Sequence, residues 1–128
     1  MGRVFLFFVV LLGIGLYRPD SRAVILEYTS PLANPALRWM TNQELRQIVD
    51  DLDVVQGSGQ AFPSRPEEFD AWLNRRYPQE GSRMDAWGTR YRLNVSATHF
   101  RVISAGPDGV FGTEDDVFRE AQRRQGGR

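Results

Sequence analysis

The rhythm of apolar and polar positions changes several times along the chain, and each change marks an element. Residues 4–16 read VFLFFVVLLGIGL, apolar apart from Gly13 and Gly15. Arg3 precedes this run, and Arg18, Asp20 and Arg22 follow it. A positive start and an apolar core form the pattern of a secretion signal or signal-anchor. The run is shorter than the roughly 20 residues of a comfortable membrane span. Residues 1–19 are therefore expected to form a hydrophobic helix that is either a cleaved signal peptide or a membrane anchor. Pro19 and Asp20 should break it. Residues 20–40 read as a connecting segment, punctuated by Ser30-Pro31 and Asn34-Pro35. Within it, residues 23–29 (AVILEYT) suit a short strand or the start of a helix.

Residues 36–55 carry the clearest helical spacing. Leu37, Met40, Leu45, Ile48, Leu52 and Val55 fall near one stripe. Asn34 with Pro35 supplies one start signal, and Thr41 with Glu44 supplies another. Asp50, Asp51 and Asp53 crowd the carboxyl end against the helix dipole, and the sequence names no compensation. Phe62-Pro63 reads as an anchor returning the chain to the core. Ser64-Arg65-Pro66-Glu67 opens a second helix over 66–76, with Phe69, Trp72 and Leu73 inward and Pro78 as its stop. Alternation over 90–94 (Tyr91 and Leu93) and 98–104 (Phe100 and Val102) predicts a hairpin turning at Val95-Ser96-Ala97. Val117 and Phe118 are expected to add a third strand or close a loop. The domain is placed at 41–118, and 119–128 reads as a frayed, basic polar tail.

Composition narrows the chemistry. A chain of 128 residues suits one domain with a modest core. Its formal net charge of +0 gives no global case for nucleic-acid binding. Cysteine is absent, which excludes disulfides, thiol catalysis and thiolate metal sites. The single histidine, His99, excludes a multi-histidine metal centre within one chain, which argues against zinc, copper and haem chemistry.

One stretch stands out, from Ser104 to Val117. Gly106, Gly109 and Gly112 let the backbone turn, and Asp108, Glu114, Asp115 and Asp116 carry charge with no basic residue between them. If the turns bring Asp108 towards Asp115 and Asp116, the carboxylates repel. A hard cation removes that cost, and calcium accepts carboxylates and carbonyls in flexible geometry. The same composition also fits a solvated loop in which Asp108 caps its own turn. A hydrolase pairing Asp108 with Asp115 or Asp116 requires an apolar pocket to separate their pKa values, and the sequence offers none. Arg119, Arg123, Arg124 and Arg128 read as a solvated tail in preference to an anion-binding patch. Trp39, Trp72 and Trp87 read as core or interface anchors.

Asp85-Ala86-Trp87-Gly88-Thr89-Arg90-Tyr91, then Phe100 to Ser104, then Gly106-Pro107-Asp108-Gly109 through Asp115-Asp116, resembles the carboxyl-terminal domain of the type II secretion major pseudopilin. That family pairs a D-x-W-G-x-x-Y element with an S-x-G-x-D-G loop ending in acidic residues. The likeness covers about 41–117 and extends to Phe62-Pro63. It implies an α/β (α+β) fold, with a helix packed on a small antiparallel sheet. It also implies a calcium ion held by Asp108, Asp115 and Asp116 and by the backbone carbonyls of Ala105 and Thr113, with Glu114 as an alternative ligand. The expected role is non-enzymatic, in a short periplasmic filament that helps drive folded proteins outward. Expected partners are secretion-system or pilus-like proteins, further copies of the chain, and the membrane through the amino-terminal segment, with no nucleic acid. The expected location is the periplasmic face of the inner membrane, or outside the cell after export. The amino terminus departs from the family pattern. Gly2-Arg3-Val4-Phe5-Leu6-Phe7 lacks the glutamate of the G-F-T-L-[IV]-E processing motif, and Pro19, Pro31 and Pro35 punctuate the path of the long helix. A free-standing or membrane-tethered globular domain is the matching alternative.

Overall fold

A computed structural model describes residues 19–124, with side chains from Asn34 onward. The expected hydrophobic helix of residues 1–19 lies outside the described residues except for its last position. The chain divides into two compact units, Met1–Pro35 and Ala36–Arg128, and the fold below is that of the second. Its elements are α1 (Pro19–Gly57, which begins in the first unit), α2 (Pro66–Arg76), a 3-10 turn at Glu80–Arg83, and strands β1 (Arg92–Val95), β2 (His99–Ser104) and β3 (Val117–Gln122). The strands form one antiparallel sheet in the order β1-β2-β3. The class is α+β, as the resemblance implies.

α1 corrects two expectations. Pro19 opens the helix, where a missing N–H costs nothing. Pro31 and Pro35 lie inside it and do not end it. Each interior proline costs about 3 kcal/mol in isolation. Leu32, Ala33, Ala36 and Leu37 around them all favour helix. Thr41 is consequently not a cap. It sits mid-helix and is fully buried, and no start at Thr41 with Glu44 forms.

The buried line of α1 is Thr41, Leu45, Ile48, Val49, Leu52 and Val55. Met40, expected on this stripe, is 48% exposed, because the spacing of the line puts Thr41 on the inner face and Met40 beside it. α2 matches its expected bounds and buries Phe69 and Leu73. The Glu68 carboxylate turns back to accept the Ser64 and Arg65 amides at 2.9 and 3.2 Å, which satisfies donors at the helix start. These faces enclose Tyr91, Leu93, Phe100, Val102 and Val117 from the sheet side. Phe62 packs its ring 5.1 Å from that of Phe100, and Pro63 is buried, so this pair does anchor the returning chain. Burying each large apolar side chain contributes about 2 kcal/mol, which makes this cluster the main source of stability.

The acidic end of α1 is compensated from distant sequence. Asp51 receives the Tyr77 hydroxyl at 2.5 Å and the Arg76 guanidinium at 2.9 Å. Burial, reinforced by the Asp51 carboxylate, pushes the Tyr77 phenol well above its ordinary pKa. Asp53 pairs with Arg124 at 2.8 Å. The last contact corrects the frayed tail. Residues 119–122 belong to β3, and Arg123 donates its amide to the Thr98 carbonyl at 2.8 Å. Register explains this: β2 runs back to His99, and its outer edge needs a partner as far as Gln122.

Candidate functional site

The acidic stretch is closed at its base by the sheet. Ser104 at the end of β2 pairs with Val117 at the start of β3, so residues 105–116 must leave and return at one point. Gly106 makes that closure possible. Its φ is +68°, and a Cβ there would lie 2.1 Å from the Asp115 carbonyl oxygen. Only glycine tolerates both the dihedral and the approach.

Beneath the loop lies a buried polar network that sequence reasoning did not find. Asp85 is 5% exposed. Its Oδ1 accepts the Trp87 and Thr89 amides at 3.1 and 2.8 Å, and its Oδ2 accepts the Ser104 hydroxyl at 2.6 Å. The Ser104 oxygen in turn accepts the Gly106 amide at 3.1 Å. The Ala86 amide donates to the Thr41 hydroxyl of α1 at 3.2 Å. One carboxylate thus shapes its own turn and fixes the first residue at which the loop bends, while the next amide ties that turn to α1. A signal for part of this was present: an aspartate two residues before a turn amide is an Asx-turn pattern. The Ser104 and Thr41 contacts span long sequence separations and had no local signal. Tyr91, the last residue of the D-x-W-G-x-x-Y element, is 2% exposed and donates its hydroxyl to the Glu44 carboxylate. Burial foremost, then that carboxylate, drives its pKa upward.

At the tip, the carboxylates meet local donors. Asp108 is exposed, and its Oδ1 accepts the Val110 amide at 2.9 Å. That hydrogen bond is the main cause holding its carboxyl below the usual range. Asp116 Oδ2 accepts the Gly112 amide at 2.8 Å, while its Oδ1 is buried with no hydrogen-bond partner. Asp115 Oδ1 faces the Arg38 guanidinium of α1 at 3.5 Å. Glu114 is exposed, Ala105 is fully buried, and the Thr113 carbonyl accepts the Asp116 amide at 3.3 Å. The structure therefore seats Asp115 and Asp116 side by side at the loop's return and Asp108 on its opening turn. Among the described residues, no three acidic or histidine side chains stand together as a metal-holding group. The buried, unpartnered Asp116 Oδ1 is nonetheless a donor atom that fits a cation.

The other candidates fall elsewhere. A groove of about 310 Å³ is lined by Pro66, Phe69, Asp70, Arg90, Tyr91 and Phe111, among others, and includes none of the loop carboxylates. Arg123 and Arg124 are engaged with Ser96 and Asp53. His99 lies at the hairpin turn beside Ser96 and Thr98. Trp39 is 65% exposed and so is not a core anchor, whereas Trp72 stacks on Phe69 against the core. Among the described residues no helix is long and apolar enough to cross a membrane.

Comparison with known proteins bears on the same region. Residues 40–119 match the family described as type II secretion system (T2SS), protein G. The chain is 32% identical over 80 residues to the type II secretion system core protein G of Pectobacterium carotovorum subsp. carotovorum, covering 52% of this chain and 51% of that protein. It thus spans about half the length of this curated relative. No solved structure matches the chain at a significant level. With its matched region running from α1 through the acidic loop into β3, the chain belongs to the type II secretion system protein G family.

Proposed function

We propose that this protein is a non-enzymatic structural component of type II secretion whose domain is stiffened by calcium in the 105–116 loop. Its partners are other secretion-system proteins, including further copies of itself, and the membrane through residues 1–19. The domain then faces the periplasm from the inner membrane, or is exported. The family match over 40–119 supports the secretion role. The observation that carries the calcium reading is the buried Asp116 Oδ1 with no donor, in a loop whose return is pinched against Gly106. Asp116, Asp115 and Asp108 would supply carboxylate oxygens, and Ala105 and Thr113 backbone oxygens, with Glu114 as the alternative. Bound calcium would neutralise the like charges and hold the loop in one shape. A cation that binds only the folded state adds to its stability. The full chain in detergent should therefore melt several degrees higher in millimolar calcium than in chelator. Coincident melting curves would overturn the calcium part.

Asp108 argues against acid catalysis. A general acid needs a raised pKa, and its carboxyl is exposed and held low. A second reading is an exported calcium-binding domain that stays outside any filament. Sedimentation of assembled filaments containing this chain would exclude it.

A further inference from the structure

We infer that Arg38 is the loop's own counter-cation, which calcium must displace from Asp115, so that loading the loop loosens its tie to α1. This deepens the calcium reading above and rests on it. The Arg38 Nη2 to Asp115 Oδ1 contact links α1 directly to a proposed ligand. Arg92 also reaches the loop, but it lies over the Phe111 ring at 3.9 Å and not on a carboxylate. The pair is poised to exchange. It is a single contact of 3.5 Å between side chains 38% and 45% exposed. Charge-assisted bonds of full strength are about 2.8 Å and often bidentate. Such an exposed pair is weak and screened by salt.

Calcium takes carboxylate oxygens at about 2.4 Å. A dication on Asp115 therefore competes with the guanidinium for the same carboxylate and repels it. Arg38 itself stays on the helix: its own carbonyl accepts the Asn42 side-chain amide at 3.0 Å, and Thr41 is held one turn further on by Ala86. Exchange at Asp115 moves the Arg38 side chain and leaves the backbone in place.

The test is calcium titration of the full chain in detergent by calorimetry, for the wild type, Arg38→Gln and Arg38→Lys, with melting in chelator alongside. Loss of a competing exposed pair should tighten calcium binding about threefold in Arg38→Gln, with Arg38→Lys close to wild type. In chelator the same Arg38→Gln variant should melt slightly lower than wild type, because it has lost the pair and gained nothing. Added salt should narrow the difference in affinity. In an Asp115→Asn background, Arg38→Gln should leave affinity unchanged. If the wild type binds calcium and Arg38→Gln binds equally or more weakly, the inference is overturned while the calcium reading stands. If the wild type takes up no calcium, both fall.

Discussion

The base and the tip of the 105–116 loop solve opposite problems. At the base, Asp85 is nearly inaccessible, and both its oxygens are occupied by donors from its own turn and from β2. At the tip, Asp108 and Asp116 borrow amides from within the loop, and one Asp116 oxygen stays buried without a donor. Asp115 leans on one distant arginine. A buried carboxylate whose lone pairs are filled gives shape and little capacity for a ligand. A carboxylate with an unfilled lone pair costs stability until a cation arrives. The base thus leaves no oxygen open, whereas the tip leaves one, the atom that the proposed calcium would take.

The largest expected effect tests the base. Asp85→Ala strips the partner from two amides and from the Ser104 hydroxyl, and should cost about 3 kcal/mol by denaturant unfolding. A loss under 1 kcal/mol would show that the network is ornamental. Next comes the tip. Calcium at one hundred times its dissociation constant should add about 2.7 kcal/mol, and Asp116→Asn should remove most of that gain while raising the melting temperature in chelator slightly, because the unpaired buried charge is gone. If Asp116→Asn keeps the full calcium response, the ligand assignment is wrong. Gly106→Ala, where tip meets base, should cost about 2 kcal/mol or more from dihedral strain and collision with the Asp115 carbonyl.

Smaller effects separate local from distant support. The Asp108 carboxyl sits below its unfolded value. Its contribution is therefore present above an unfolded pKa of about 4 and is lost as pH falls through the folded value. In chelator, Asp108→Asn should flatten the acid limb of a melting-temperature profile below that pH and lower neutral stability only slightly, the exposed carboxylate's small contribution being lost. Smallest of all, breaking the exposed Arg101–Glu120 pair on the sheet with Glu120→Gln should shift stability by no more than about 0.5 kcal/mol.

Much of the fold was legible because its signals are local. The spacing of Leu45, Ile48 and Leu52 marks a helix face, and Pro66 and Pro78 bracket α2. The alternation of Tyr91, Leu93, Phe100 and Val102 marks the hairpin, and all four are buried. Local signals also misled. Pro31, Pro35 and Thr41 look like helix boundaries, yet α1 runs through all three. Thr41 is retained inside the helix because its hydroxyl meets an amide from the turn at Asp85.

The sequence by itself determined α2, the hairpin, most of the inward stripe of α1 from Leu45 to Val55, and the acidic, glycine-punctuated character of the loop, because periodicity and composition act over a few residues. Tertiary structure alone decided which distant polar and charged groups meet. Arg38 lies against Asp115, Arg124 against Asp53, and Ser104 against Asp85. These partners lie far apart along the chain, and only the packing of helices on the sheet brings them within hydrogen-bonding range, where Coulomb attraction and desolvation act.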